Sequence, residues 1–232
     1  MKHKQSGFTL IEIAIVLVII GLLLGGVLKG QELINSAKVK NLASDFRNIP
    51  LYIYGYQDKF RALPGDDASA IAHLGATICV APCQNSTTSN GVIGGSTATD
   101  VWTSTVVTDE TQQFWIHARL AGLAPGPTSG ATDYRPTNSA DGRIGIQSNI
   151  QSGNGAFTTI IQNAAGTASL MTGTYIICST NVLGKFVKQL DITMDDGNTD
   201  TGSMRVADAA TGKSMATANI VDGTSYTICM GI

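Results

Sequence analysis

The sequence Gly7-Phe8-Thr9-Leu10-Ile11-Glu12 begins the segment that decides the fold of this 232-residue chain. Two lysines lie in the six residues before it, and an apolar run that ends at Leu28 follows it. Between Phe8 and Leu28 the only charged side chain is that of Glu12. A helix needs about 20 apolar residues to cross a bilayer. The sequence therefore predicts a membrane-spanning helix over residues 8–28.

Glu12 sets this segment apart from an ordinary membrane anchor. A carboxylate inside a membrane segment is costly and indicates a functional site by default. The alternative is that Glu12 only snorkels to the membrane surface, since it lies four residues inside the apolar run. A secretory signal peptide is not indicated, because Lys29-Gly30-Gln31-Glu32 follows Leu28 where a small-residue cleavage site would be expected.

Gly7, Phe8 and Glu12, placed after a short basic leader, resemble the processing site of type IV prepilins and of the pseudopilins of type II secretion. The resemblance implies that residues 1–7 are a leader, that a prepilin peptidase cleaves between Gly7 and Phe8, and that Phe8 is then N-methylated. It also implies a subunit that resides in the inner membrane and then polymerises into a helical surface filament, a homo-oligomer. An inner-membrane assembly platform and minor pilins are the further partners it implies. A pseudopilin filament would remain periplasmic.

The residues also suggest how Glu12 would guide assembly. Cleavage after Gly7 would free the α-amine of Phe8, and an α-amine is largely cationic at neutral pH. In a staggered bundle of helices, Glu12 of one subunit would pair with the Phe8 amine of the next. A subunit at the wrong height would leave both charges unpaired in an apolar core, so the pairing is expected to fix the axial register.

The charge balance argues against nucleic-acid binding. The chain has 15 basic and 17 acidic residues, a net charge of −2, and this composition predicts no large basic surface. Lys2 and Lys4 precede the apolar run, which predicts a cytoplasmic N-terminus and an external head by the positive-inside rule.

Motifs of common enzymes are missing from the sequence. It contains no P-loop, no Gly-x-Ser-x-Gly elbow and no His-Glu-x-x-His. Of three histidines one lies in the leader, and His73 and His117 are interpreted as packed or surface residues. We therefore expect no enzyme and no required cofactor. A membrane-tethered extracytoplasmic binding domain is the alternative to a filament subunit.

Residues 29–60 are predicted to continue the helix with one buried face, because apolar residues recur there at spacings of three and four. Pro50 lies inside this pattern and predicts a kink, the alternative being that the helix ends there. The aromatic run Tyr52, Tyr54, Tyr56 and Phe60 reads as a buried face and favours the kink. The helix is expected to end near Lys59–Phe60. This resembles the pilin design, in which the first half of the helix packs in the filament core and the second half against the head.

Residues 61–232 are predicted to form a globular head. A helix is expected over Thr111–Gly122 and a shorter one over Asn181–Leu190. Short apolar runs between turns predict four strands: Arg143–Gln147, Phe157–Gln162, Tyr175–Cys178 and Ser225–Met230. The expected fold class is α+β and pilin-like, with the long helix packed on an antiparallel sheet. Residues 76–112 are interpreted as a surface loop with little regular structure.

The stretch from Ala62 to Ala68 contains the turn signal Pro64-Gly65-Asp66. It resembles a recurrent stretch that follows the long helix in prepilin-like proteins. Asp66 and Asp67 are expected to cap the next short helix. Ligation of a cation by these two carboxylates is the alternative.

Four cysteines in an exported head predict disulfides. Three pairings are possible, and we favour Cys79–Cys83 with Cys178–Cys229. The first pair closes a local loop around Pro82. The second ties the C-terminal strand to an earlier one, with an expected stabilisation of about 4 kcal/mol in the chain-entropy model. A zinc site at Cys79 and Cys83 is a weaker alternative, because an oxidising compartment favours the bridge.

The acidic loop from Asp191 to Gly202 is the one chemical constellation in the head. Asp196, Asn198 and Asp200 place hard oxygen ligands at alternate positions, which suits Ca²⁺, although the glycine and glutamate positions of an EF-hand are not matched. Asp191 and Asp195 complete the candidate ligand set. Its resemblance to a stretch of prepilin-like proteins, some of which hold calcium in the head, points the same way. The alternative is a solvated turn whose side chains bond their own backbone.

Overall fold

The computed structural model describes residues 9–77, 79, 83, 89–94, 101–149, 171–209 and 211–232. Within them the architecture is α+β, with one long helix and a four-stranded antiparallel sheet, as the sequence predicts. Gly7, Phe8 and the expected strand Phe157–Gln162 lie outside the described residues.

The described elements follow one another from the long helix to the C-terminal strand. In chain order they are α1 Leu10–Phe60, α2 Ala70–Leu74, a 3₁₀ turn Val101–Thr103, α3 Glu110–Leu120, β1 Ile144–Ser148, β2 Tyr175–Leu183, α4 Gly184–Met194, β3 Met204–Asp208, a 3₁₀ turn Thr217–Asn219 and β4 Ser225–Gly231.

The first part of α1 is apolar on every side and belongs to a compact unit of residues 1–38. Its large apolar side chains from Leu10 to Leu28 are all at least 46% exposed. In the described part of the chain, α1 is the one helix that is long and apolar enough to cross a membrane, with a mean hydropathy of 2.8 over its most apolar window. A helix that is apolar all round needs an apolar solvent or neighbouring helices.

The second part of α1 belongs to the unit of residues 39–232 and buries one face. Its buried residues recur at spacings of three and four: Val39, Leu42, Ala43, Phe46, Ile49, Ile53 and Tyr56. They share one hydrophobic core with the sheet residues Ile146, Ile177 and Ile228.

The helix continues through Pro50 and ends at Phe60, so the alternative in which Pro50 ends it is wrong. The expectation of a fully buried aromatic face is also wrong. Tyr56 is buried, but Tyr54 is 63% exposed. Tyr52, Tyr56 and Phe60 lie one helical turn apart on one face, and Tyr54 lies on the opposite side of the helix.

The sheet has the strand order β1-β2-β4-β3, and all neighbours are antiparallel. One row of apolar partners crosses the four strands in register: Ile146, Ile177, Met230 and Met204. This row faces the core that contains α1. Because successive side chains alternate between faces, Ile176, Cys178 and Cys229 pack in a second cluster with Trp102.

The junction between β2 and α4 differs from the prediction. Asn181–Leu183 are the end of β2 rather than the start of a helix, because Val182 and Leu183 pair with Tyr226 and Ser225 of β4 beyond a register shift. Asn181 has φ 60°, a left-handed conformation that asparagine tolerates better than most residues. The helix α4 then extends to Met194, so Asp191 lies in its last turn and not in a loop.

Two further expectations are corrected. The strand β3, Met204–Asp208, was not predicted; among the described strands it pairs with β4, and Ala207 forms an isolated antiparallel bridge with Ser214. The interpretation of residues 76–112 as a surface loop is wrong for several of the positions that the structure describes, because Cys79, Ile93 and Trp102 are buried.

Candidate functional site

The N-terminus of α1 is closed by Thr9 and Glu12. The Thr9 backbone N–H donates to Glu12 Oε2 at 2.8 Å, and the Thr9 hydroxyl donates to the same oxygen at 2.7 Å. In return the Glu12 backbone N–H donates to Thr9 Oγ1 at 3.3 Å. This is a capping box, in which the side chains of the N-cap and N3 residues satisfy each other's backbone N–H groups.

The capping box gives Glu12 a role within its own chain. Its carboxylate also lies at the positive end of the helix dipole, where negative charge is favoured. Both bonds that the carboxylate accepts end on Oε2. Within the described residues, Oε1 therefore remains able to accept a hydrogen bond from another donor. The sequence analysis missed Thr9, although the spacing Thr-x-x-Glu before an apolar run is itself the signal.

The N-terminal segment also matches a known family. Residues 2–28 match the model described as the prokaryotic N-terminal methylation motif. This motif is the signature of type IV pilins and pseudopilins. No curated protein and no solved structure matches the chain. The methylation motif ends at residue 28 and does not extend into the head.

The described head contains two disulfides, Cys79–Cys83 and Cys178–Cys229. Cys178 and Cys229 are direct partners across β2 and β4, the two central strands. This bond closes a loop of sequence separation 51, which includes α4 and β3. It therefore holds together the part of the head that carries the acidic cluster described below.

The turn after α1 is fixed by two buried carboxylates. Asp67 Oδ2 accepts the Tyr56 hydroxyl at 2.7 Å and lies 2.7 Å from His73 Nδ1. Asp66 accepts the backbone N–H groups of Asn90 at 3.1 Å and Gly91 at 2.7 Å. The expected capping of the next helix holds for Asp67 alone: the N-cap residue of α2, Ser69, makes no side-chain cap bond, but its backbone N–H donates to Asp67 Oδ1 at 2.9 Å. The two carboxylates also join the turn to α1 and to residues 90–91.

His117 is a packed residue within the same region. Its Nδ1 accepts the Gly65 backbone N–H at 3.0 Å, and its Nε2 lies 3.1 Å from the Cys83 carbonyl oxygen, to which it donates in the neutral tautomer. Burial disfavours the charged ring and lowers the pKa of His117. Both ring nitrogens of His117 therefore make structural hydrogen bonds. Gly65 has φ 92°, and a Cβ there would lie 2.4 Å from the Glu110 carbonyl oxygen, so the turn requires glycine.

A cleft of about 180 Å³ lies beside α1 and α3. Asp45 and Tyr52 contribute from α1, and Trp115 and Arg119 from α3. Burial raises the pKa of Asp45 to about 6. Among the described residues, the buried indole N–H of Trp115 has no hydrogen-bond partner. Arg119 is held by the carbonyl oxygens of Pro125 at 2.9 Å and Pro127 at 3.0 Å.

The acidic cluster formed by Asp191, Asp195 and Asp196 lies where α4 ends. One carboxylate oxygen of each lies within 4.8 Å of those of the other two. Asp191 is buried, Asp195 half-buried and Asp196 exposed. Asp200, also in the expected ligand set, does not belong to this group and accepts the hydroxyl of Ser214.

The loop after the acidic cluster contains the turn geometry expected of Asp and Asn residues. Asp196 Oδ1 accepts the Asn198 backbone N–H at 2.8 Å, and Asn198 Oδ1 lies 3.4 Å from the Asp200 backbone nitrogen. Asp195 accepts the Met204 backbone N–H at 2.8 Å and the Ser203 hydroxyl at 3.1 Å. Asp195 thereby ties the end of α4 to the start of β3.

Proposed function

We propose that this chain is a structural subunit of a type IV pilus, cleaved between Gly7 and Phe8, N-methylated on Phe8, and polymerised through α1 into a surface filament. The observation that supports it most is the methylation motif at residues 2–28 leading into a helix whose apolar residues are exposed on every side. The motif belongs to structural subunits rather than to enzymes.

The exposed part of α1 needs two successive environments. Before assembly the bilayer would cover the apolar run, and after assembly neighbouring copies of α1 would cover it. Lys29 and Glu32, which form an ion pair at 2.6 Å, mark the polar end of the run. Their side chains are about 70% exposed, at 71% and 69%, and would remain at the membrane surface.

Glu12 would act during the transfer from one environment to the other. In the single subunit its Oε2 accepts hydrogen bonds from Thr9, which lowers the cost of keeping a carboxylate in an apolar setting. In the filament the Phe8 amine of a neighbouring subunit would approach Oε1. The capping box and the intersubunit pair would then use different oxygens of one carboxylate, so Glu12 need not release Thr9 to fix the register.

Mass spectrometry of the N-terminus, on sheared filaments and on membranes separately, tests the proposal. We expect a mature chain that begins at methylated Phe8 and is abundant in the sheared fraction. Gly7→Val should block cleavage, and the same substitution at Gly223, where no other group lies within 4 Å, should not. An intact leader in both fractions of the wild type would overturn the proposal and favour a membrane-tethered binding domain.

Three substitutions separate the two roles of Glu12. Glu12→Gln keeps a capping box, since glutamine also serves at the N3 position, but removes the charge. Thr9→Ala removes the cap and keeps the charge. Glu32→Gln removes an exposed carboxylate of the same helix and is the matched control. We expect filaments to be lost in Glu12→Gln, reduced in Thr9→Ala and unchanged in Glu32→Gln. Filaments of normal yield from Glu12→Gln would contradict the pairing.

A pseudopilin of type II secretion is the second candidate, because the methylation motif is the signature of both classes. Such a subunit would be processed in the same way but would remain in the membrane and periplasm. A processed chain found mainly in membranes, with little in the sheared fraction, would favour this candidate over a major pilin.

A further inference from the structure

Asn90 and Gly91 lie in an exposed bend whose backbone is held by one buried carboxylate. Asp66, which is 2% exposed, accepts the Asn90 backbone N–H at 3.1 Å and the Gly91 backbone N–H at 2.7 Å. Gly91 has φ 81°, and no group other than its chain neighbours lies within 4 Å of the place where a Cβ would stand. Because glycine has no Cβ, its backbone nitrogen is open to close approach.

The side chain of Asn90 is folded back over this bend. Its Oδ1 accepts the backbone N–H of Val92, two residues on, at 2.9 Å, and such an Asx turn brings the side-chain carbonyl close to the main chain. If a nucleophile attacked the side-chain amide carbon, negative charge would develop on Oδ1. A donor about 2.7–3.1 Å from such an oxygen stabilises the charge, and the Val92 N–H already occupies that position.

Asp66 is placed to remove the proton of the Gly91 nitrogen. A candidate base has to lie about 2.6–3.2 Å from the atom whose proton it takes, and Asp66 Oδ2 meets this condition at 2.7 Å. Burial raises the pKa of Asp66 and the neighbouring charge of Asp67 adds to this, while the backbone N–H groups of residues 90–92 oppose it. A raised pKa makes the carboxylate a stronger base.

We infer that Asn90 is a self-modification site, at which the Gly91 backbone nitrogen attacks the Asn90 side-chain amide while Asp66 acts as the base. The bond from the Gly91 nitrogen to Cγ forms as Asp66 takes the N–H proton, and the carbonyl electron pair moves onto Oδ1, beside the Val92 N–H. The Cγ–Nδ2 bond then breaks, and Nδ2 leaves as ammonia with the proton that Asp66 returns. Water opens the cyclic imide at either carbonyl and leaves aspartate or isoaspartate at position 90.

The conversion changes how the bend is held. It replaces a neutral amide with a carboxylate beside Asp66, and like charges repel. In isoaspartate the main chain also gains a methylene group, which moves the two backbone N–H groups away from Asp66. The segment stays attached on either side, because the Ser89 hydroxyl donates to the Asp66 carbonyl oxygen at 2.9 Å and the Gly94 N–H donates to Glu110 at 2.8 Å. The middle of the segment is released.

The competing explanation is that the pair Asn90-Gly91 reacts only as fast as its local sequence dictates. The two explanations differ in what unfolding does. An assembled base and oxyanion donor make the folded chain react faster, since unfolding separates Asp66 from the bend. Without them the fold only restricts the side chain and slows the reaction. Asn154-Gly155, the other Asn-Gly pair of the sequence, supplies a reference rate in urea.

The experiment is peptide mapping by mass spectrometry of the full chain in detergent, incubated at neutral pH either folded or unfolded in urea. Digestion in mild acid keeps the handling from adding product. We expect Asn90 to convert at least about tenfold faster in the folded chain, because a positioned base contributes about a hundredfold or more. Aspartate and isoaspartate should both form. Aspartate alone would indicate direct hydrolysis of the amide and overturn the attack by Gly91.

Two variants assign the effect to Asp66. Asp66→Asn keeps the shape and removes the base, so conversion in the folded chain should fall to the rate in urea. Glu110→Gln is the matched control, since Glu110 holds the Gly94 N–H of the same segment, and it should keep the fast conversion. If Asp66→Asn does not fold, the wild-type comparison still decides.

Two results would overturn the inference: conversion in the folded wild type no faster than in urea, or an unchanged rate in folded Asp66→Asn. The readout does not depend on filament formation, so its failure is distinct from failure of the proposed function.

Discussion

The two parts of α1 are one continuous helix, yet they are built for different surroundings. From Leu10 to Leu28 the large apolar side chains are all at least 46% exposed, whereas from Val39 to Tyr56 seven residues at helical spacing are buried in the core of the head. The two parts differ in how polar residues are spaced. Between Leu10 and Leu28 only Glu12 interrupts the apolar run, so the whole circumference of the helix there needs apolar surroundings that one chain does not provide.

The largest expected effect comes from one substitution made in both parts. Leu42 is 1% exposed and Leu23 is 64% exposed. Leu42→Ala should destabilise the head by about 2–5 kcal/mol, because it leaves a cavity in the core. Leu23→Ala should leave the unfolding of the head unchanged. Denaturant unfolding of the full chain in detergent measures both, since Trp102 and Trp115 are buried in the head and report on it.

Equal losses of head stability would show that the first part of α1 contributes to the fold of the head. The distinction between the two parts would then fail.

A second pair sharpens the comparison within the head-bound part. Tyr56 is buried and donates its hydroxyl to Asp67 at 2.7 Å, whereas Tyr54 is 63% exposed. Tyr56→Phe leaves a buried carboxylate short of a donor, so it should cost about 1–3 kcal/mol of unfolding free energy. Tyr54→Phe should change it by less than about 0.5 kcal/mol. Similar values for the two variants would mean that the bond from Tyr56 contributes little to stability.

The sequence predicted the change in character along α1 and the end of the helix near Phe60, because the periodicity of apolar residues records burial. It did not predict β3, since Met204–Asp208 is short and is stabilised by pairing with β4 and by backbone hydrogen bonds to Thr199, Lys213 and Met215. It did not predict the burial of Asp191, which results from the extension of α4 to Met194. Both features depend on contacts distant in sequence, and local propensity does not report such contacts.

Asp45 is a half-buried carboxyl in the second part of α1, and it should make the stability of the head depend on pH. Its pKa is raised to about 6 by burial, while in the unfolded chain it would be about 3.9. The folded state therefore holds a proton that the unfolded state has lost between pH 4 and 6, so this group makes stability fall as pH rises through that window and stay lower above it.

The measurement for Asp45 is the pH dependence of unfolding in the wild type and in two variants. Asp45→Asn should remove the fall and stabilise the head at pH 8 by about 1 kcal/mol, after allowance for solvent screening of a half-exposed group. Asp58→Asn, at an exposed position of the same helix, should keep the wild-type profile. An unchanged profile in Asp45→Asn would show that burial does not perturb this carboxyl.

The smallest expected effect is a glycine-to-alanine exchange in each part of α1. At Gly25 no other group lies within 4 Å of an added Cβ, whereas at Gly55 the Cβ would lie 3.0 Å from Leu123 Cδ2. Alanine favours a helix over glycine by about 0.8–1 kcal/mol. At Gly55 the tight contact offsets that gain, and the unfolding free energy of the head should change by less than about 1 kcal/mol.

Gly25→Ala adds its helix-stabilising effect in the exposed part of α1, so it should not alter the unfolding of the head. The informative readout there is filament yield: if neighbouring copies of α1 approach each other at Gly25, the added methyl group reduces the yield although the head is unaffected. A normal yield would show that the glycine serves neither close packing nor local melting of the helix.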